Sequence, residues 1–464
     1  MKISSFLFSI LLLFLFSCKK ESFTNSPDAR LVTSTGKVKF DTVFTSLGSV
    51  TQKFTIVNDN DQKLRLSQVK LGGGSSSAFK INVDGTAGTS FSGLELNPHD
   101  SLYVFVKVTI DPNAANNPFI VEDSIEINYN GNLSKVYLEA YGQNARFITA
   151  THLTANTTWD NQLPYVVMNT FYIDKGVTLT IEKGTKVYSN ANTAIIVNGS
   201  LKSMGEKADN SRVIFRGSRL DADYKDLPGS WPGLVFTANS SGNQLHYTNI
   251  LNAYQAVAIG GSDLVVDHCI IHNAYDIGLY ALAALVSAND CLISQCGNEG
   301  VAGVGGSNVI LTGGGLYNFT HCTVSTYGNL YQNHKQPVLY ISNTDAGITS
   351  PLVSNFTNCI FYGTGGKTDE ELLVTKAPSD QVVFTNTLYK VKNDPSATFT
   401  NCIKNADPLF DTINVSLQQY NFRLRDNSPA VASGKAISSP TNDLDGLPRP
   451  TPPAKPDMGC YQRQ

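Results

Sequence analysis

Between Val38 and about Ala145, apolar and polar residues alternate in short runs: VKFDTVF, SVTQKFTIVN, KLRLSQVKL, FKINVDG, DSLYVFVKVTI, EDSIEINYNG and LSKVYLEAYG. Clusters rich in Gly, Asn, Asp and Ser separate them. A two-residue period puts alternate side chains on opposite faces, so each run predicts a strand with one buried face. Seven such strands in about 110 residues predict an antiparallel β-sandwich over residues 38–145. No Cys falls within this segment, so burial must hold the two sheets together.

From about residue 146 the pattern changes. Strand-like runs shorten, glycines become denser, and one phrase recurs around a central Cys: VDHCII (Cys269), NDCLIS (Cys291), THCTVS (Cys322), TNCIFY (Cys359) and TNCIKN (Cys402). Thr248 in YTNI stands 21 residues before Cys269, and Cys291 follows 22 residues later; the next intervals, 31, 37 and 43, imply insertions. Ala253, Ala274 and Cys296 share another frame position, as do Gly278 and Gly300. A short strand-and-turn repeat without helical segments predicts a parallel β-solenoid over residues 146–412, whose rungs bury their apolar faces only by stacking. Stacking sets equivalent side chains about 4.8 Å apart, so the cysteines are expected to form a ladder of small apolar fillers.

The opening strands VTLTI, TKVYS, AIIVNGSLKS and RVIFRG, with Gly199-Ser200-Leu201 leading to Ile214 and Phe215, resemble the first coils of right-handed β-helix proteins of the pectate-lyase-like class. Residues 218–236 resemble the loop and strand that follow there. NFRLRDNSPAVASG, NDLDGLPRP and DMGCYQ resemble the closing segment of bacterial surface β-helix proteins, and residues 413–464 are expected to close the C-terminal end. The resemblance implies an all-β chain with a right-handed parallel β-helix. The sandwich ahead of it is similar to immunoglobulin-like modules of surface lipoproteins. Because the β-helix hosts enzymes and adhesins alike, fold alone implies no chemistry.

At the N-terminus Lys2 precedes an apolar run from Phe6 to Phe16, then Ser17, Cys18 and polar residues. That run is too short to span a bilayer and has the layout of a signal peptide, residues 1–17. Leu15 to Cys18 resembles the lipobox of bacterial lipoproteins, which implies cleavage before Cys18, acylation of its thiol and a membrane partner reached through the lipid anchor. Residues 18–37 lack apolar periodicity and read as a flexible tether. Asp41-Thr42-Val43 and Asp123-Ser124-Ile125 resemble the O-glycosylation sequence of Bacteroidetes exported proteins. The expected location is the cell envelope, at the outer membrane.

Composition narrows the partners. The 464 residues carry a net charge of −3, and charged residues make up only 16%, so no positive field gathers phosphate and nucleic acid is excluded as a partner. No C-x-x-C spacing, phosphate loop, nucleophile elbow or zinc helix motif occurs, so neither metal nor cofactor is expected.

Four residues carry the best catalytic case. Asp267 and His268 in VDHC look like part of a pectate lyase phrase, and His334 with Lys335 follows some 65 residues later. Such lyases need a base for the proton α to a uronate carboxylate. The competing reading makes VDHC one rung of the Cys ladder. Asn343-Thr344-Asp345 matches one polygalacturonase motif but lacks its partners. The acidic loop Asp221, Asp223, Tyr224, Asp226 with Trp231 could hold a sugar by stacking. The sequence therefore points to a non-catalytic envelope lipoprotein that binds a polysaccharide or envelope component along the β-helix flank. The alternative is a polysaccharide lyase acting on acidic glycans.

Overall fold

A computed structural model describes residues 22–112, 119–222, 224–298 and 306–463. The chain forms two compact units, residues 1–144 and 145–464. Cys18 lies outside the described residues, as does Asp223. Among the described residues no helix is long and apolar enough to cross a membrane.

The first unit packs two five-stranded sheets face to face. One contains Leu31–Thr33, Gln52–Asn58, Ser101–Val108, Phe79–Val83 and Thr86–Gly88; the other contains Lys37–Phe44, Asn132–Gln143, Phe119–Tyr129, Leu64–Leu71 and Ser90–Leu96. Ser101–Val108 shows how the alternation builds the core. Leu102, Val104, Val106 and Val108 are buried, while Tyr103 and Phe105 stack on the outside with ring centroids 6.1 Å apart. One pairing departs from the antiparallel pattern: Lys37–Phe44 runs parallel to Asn132–Gln143.

Part of the expected tether is structured. Leu31–Thr33 adds a strand to Ile56–Asn58, and Phe23 bridges Lys63 beneath the guanidinium of Arg65, 4.5 Å from its ring centroid. Backbone pairing to an open sheet edge orders this stretch without any apolar period of its own.

The second unit is a three-faced parallel solenoid. The first face is a sheet of eleven strands running from Arg146–Ile148 to Ile403–Lys404. The other two faces pair continuously along their lengths and join where Ile277–Asn289 and Val309–Thr320 run through the corner between them. Parallel crossovers of this kind take the right-handed sense. Identical positions stack inside: Phe319, Phe356, Phe384 and Phe399 stand in register, with centroid spacings of 5.4, 4.7 and 5.0 Å.

The Cys phrase marks the tightest corner, where the third face hands the chain to the first through a single left-handed residue. Tyr247, His268, Asp290, His321, Asn358, Asn386 and Asn401 occupy it with φ between 40° and 57°. Asn, Asp and His tolerate this region better than most side chains, which explains the recurring HC, DC and NC pairs. The following residue points inward and bonds the carbonyl two residues back: Cys269 Sγ to Asp267 O at 3.3 Å, Cys291 Sγ to Asn289 O at 3.1 Å, Thr387 Oγ1 to Thr385 O at 3.2 Å. All seven cysteines in the described residues are free.

The C-terminal segment was expected to close the end of the solenoid, and instead it returns along the flank. Ala430, Leu444, Met458, Cys460 and Tyr461 pack over Leu292, Ile360 and Leu388, the outward apolar residues of the first face. Asn358 donates to Lys435 O and Asn386 to Ser433 O, so the strap is stitched to the corner ladder. The outward apolar residues of the first face make the flank the surface that needs covering.

Candidate functional site

Among the described residues of the solenoid, outward side chains converge on the third face at Val265, Leu285 and Leu316, and at two further places that carry aromatic or titratable groups. The first of these two is a single column down the second face: His152, Tyr172, Ile196, Val235, Ala258, Tyr280, Ile310, Tyr340 and Leu373 stand in register on consecutive rungs, with Ile310 fully buried between Tyr280 and Tyr340. Strands of this face are short, with an in-out-in pattern, so each rung contributes one outward side chain there. The column is apolar and aromatic apart from His152, whose ring stacks on Tyr172 at 4.9 Å. Tyr172, Tyr280 and Tyr340 are half-buried. Burial, with a smaller contribution from Asp345, raises the Tyr280 phenol above its ordinary range. Beside the column Tyr254 and Tyr275 stack at 5.5 Å. On its other edge the hairpin Thr344–Asp345/Ile348–Thr349 passes close to Gly313, where a Cβ would lie 3.3 Å from that of Asp345.

The second place is the tight corner at His246, Asp267 and His268. His246 and Asp267 are register partners on adjacent rungs, and His268 is the left-handed residue after Asp267. His246 Nδ1 lies 2.6 Å and His268 Nδ1 3.0 Å from the same oxygen, Asp267 Oδ2. Burial raises the Asp267 carboxyl, but the two imidazoles outweigh it and hold it far below the usual carboxylate range. Burial likewise lowers His268, and Asp267 more than offsets this, leaving the imidazole above its ordinary value. Arg212 frames the site: its Nη2 donates to His268 O at 2.5 Å and its Nε to Asn249 Oδ1 at 2.7 Å, while Tyr247 stacks on His268 at 4.6 Å.

The structure does not bring the four lyase candidates together. Asp267 and His268 sit at the corner entering the first face. His334 and Lys335 lie in the connection that leaves this face two rungs further on, between Thr323–Tyr327 and Leu339–Ser342. His334 is buried, its Nε2 2.9 Å from Glu371 Oε1, in space that Gly363 leaves open.

The proposed sugar platform is also corrected. Trp231 is fully buried within the solenoid core, stacked near Phe215 and donating from Nε1 to Leu251 O at 2.9 Å. Its indole is a wall of the core because Trp231 bridges Ala253, with Gly229 N donating to Ala253 O and Ser230 N to Asn252 O just before it. Asp221 is engaged by Arg219 in a two-pronged pair, at 2.9 and 2.8 Å, with the guanidinium 3.5 Å from the Tyr224 ring centroid. Asn343 is buried and donates to Asp380 Oδ2 at 2.7 Å.

Sequence reasoning missed His246 and expected no metal ligands. The 21-residue frame carries the signal: His246 stands 21 residues before Asp267, as Thr248 does before Cys269.

No family model matches the chain, and no curated protein matches it. Similarities to solved structures are faint. A family 123 glycoside hydrolase from Clostridium perfringens aligns at 13% identity over 27% of this chain and 26% of its own, with a TM-score of 0.19. A PapD-like domain of human CEP192 aligns at 12% identity over 28% of this chain and 94% of its own, with a TM-score of 0.17. The catalytic domain of a GH87 alpha-1,3-glucanase aligns at 10% identity over 76% of this chain and 79% of its own, with a TM-score of 0.18. The chain thus spans about a quarter of the length of the first.

Proposed function

We propose that this protein is a non-catalytic, envelope-anchored binder of an extended polysaccharide, held at the outer membrane through acylated Cys18. The observation that carries the binding half is the aromatic column on the second face. Its half-buried rings, Tyr172 four rungs before Tyr280 and Tyr280 two rungs before Tyr340, with apolar side chains between them, suit a long ligand that lays sugar faces on tyrosine rings and hydroxyls on flanking polar groups. The separation of Asp267 and His268 from His334 and Lys335 removes the acid-base set on which the lyase alternative depends.

The test combines affinity electrophoresis of the purified protein across neutral and acidic polysaccharides with an assay for unsaturated products. Retardation by at least one polysaccharide is expected. The double variant Tyr280→Ala/Tyr340→Ala should weaken it tenfold or more, since stacking of this kind accounts for about 1–3 kcal/mol per ring in comparable base-on-aromatic contacts. Retardation unchanged in that variant rejects the column as the site. Turnover abolished by Asp267→Ala rejects the non-catalytic reading.

A further inference from the structure

We infer that His246, Asp267 and His268 form a binding site for a zinc-class divalent transition-metal ion. Three observations lead there. The ligating atoms of the three residues lie within 4.8 Å of one another, and both imidazoles turn Nδ1 toward one carboxylate oxygen. A tetrahedral ion with bonds of about 2.0–2.2 Å needs neighbouring ligand atoms roughly 3.3 Å apart, so small side-chain adjustments admit it.

Second, the ring of His268 is buried, and its neighbours, Asp267 Oδ2 at 3.0 Å from Nδ1 and the backbone of Asn442, do not meet the nitrogens at good hydrogen-bonding angles. The residue is only 7% exposed, so such nitrogens call for an explanation. An ion at the shared focus gives Nδ1 a well-directed bond in place of its oblique approach to Asp267. Third, the surroundings fix the ligands. The left-handed φ of His268 sets where its ring projects, Tyr247 stacks on it, and Arg212 holds its carbonyl. Orientation of ligands by such outer contacts is what metal sites require.

Two imidazoles and one carboxylate select zinc and its neighbours over calcium or magnesium, which favour all-oxygen sets. His246 keeps 37% of its side chain exposed, so water can take the fourth position from that side. The ligands come from two adjacent rungs, and the ion therefore stitches one rung to the next beside the strap. This inference does not rest on the polysaccharide reading, since the corner and the aromatic column occupy different faces.

The experiment uses the whole protein, stripped with a chelator and dialysed against Zn²⁺, with bound metal counted by elemental analysis and thermal stability recorded alongside. One equivalent is expected, with a Tm that rises with free Zn²⁺. His246→Ala and Asp267→Asn should each lose that equivalent, whereas His152→Ala, at an exposed His152–Asp174 pair, should keep it. Since His246 is at the surface, its variant should fold, and matching fluorescence in chelator verifies this. Zn²⁺ stoichiometry equal in the parent and in His246→Ala, or no bound Zn²⁺ in the parent, overturns the site.

Discussion

Arg449 and Asp290, 159 residues apart in sequence, form a buried ion pair that fastens the C-terminal strap to the corner ladder of the solenoid. Nε of Arg449 donates to Asp290 Oδ1 at 3.1 Å, Nη2 donates to the same oxygen, and Nη2 also reaches Gly459 O at 3.0 Å. The side chains are 3% and 0% exposed. Burial pushes the Asp290 carboxyl up to about 7, against the pull of Arg449. Its folded pKa therefore lies above the unfolded value, so the stability it contributes is complete below about pH 4 and disappears as pH rises through about 7. Asp290→Asn should flatten the pH dependence of Tm between pH 4 and 8, while the parent loses stability across that window. Arg449→Met should be more damaging at pH 8 than at pH 5, approaching the roughly 3–5 kcal/mol cost of a buried charge left alone.

The phenylalanine stack predicts a gradient of mutational cost. Phe356 is fully buried between Phe319 and Phe384 and meets Phe361 edge-on at 5.4 Å, whereas Phe399 ends the stack and is half-buried. Phe356→Ala should cost about 3–5 kcal/mol and Phe399→Ala clearly less. Urea unfolding followed by tryptophan fluorescence isolates the solenoid, because Trp159 and Trp231, the two tryptophans of the chain, both belong to its core. Equal costs at the two positions would contradict rung-by-rung stacking.

How much of this could be read from the chain depends on how the information is stored. The cysteine frame was legible because a left-handed corner admits few residue types and stacking repeats them at a fixed interval. The strands of the sandwich were legible by alternation. Leu31–Thr33 was not, since three residues carry no period and its order comes from pairing with Gln52–Asn58. Trp231 was misplaced because a Trp after an acidic loop looks like surface, and only the folded loop reveals that it seals the core. His246 belonged to the frame, yet its neighbours in the column differ in type, so it announced no ladder. The separation of His334 from His268 is a matter of which corner each loop leaves from, and that depends on rung assignment.

The ladder also predicts reactivity. Burial pushes the thiols of Cys269, Cys291 and Cys322 well above the ordinary cysteine range, and Cys402 is raised less because it is half-exposed. The thiolate is the reactive form, so alkylation of the native protein mapped by mass spectrometry should mark Cys402 first and the three buried ones only after denaturation. Rapid labelling of Cys291 in the native state would contradict the inward ladder. Thr387 occupies the ladder position with the same carbonyl bonds, so Cys322→Thr should cost under about 1.5 kcal/mol.

Trp231 gives the sharpest separation of fold from binding. Its indole donates to Leu251 O and contacts the core rather than the outward column of the second face. Trp231→Phe removes that donor and leaves the Leu251 carbonyl without it, while also opening space where the larger ring had been. The variant should lose about 2–4 kcal/mol of solenoid stability, read by circular dichroism since one of the two fluorophores is gone. Polysaccharide retardation at a temperature where the variant remains folded should match the parent, because no atom of the binding column has changed. A stable Trp231→Phe variant that no longer binds would return the indole to the ligand site and displace the tyrosine column from it.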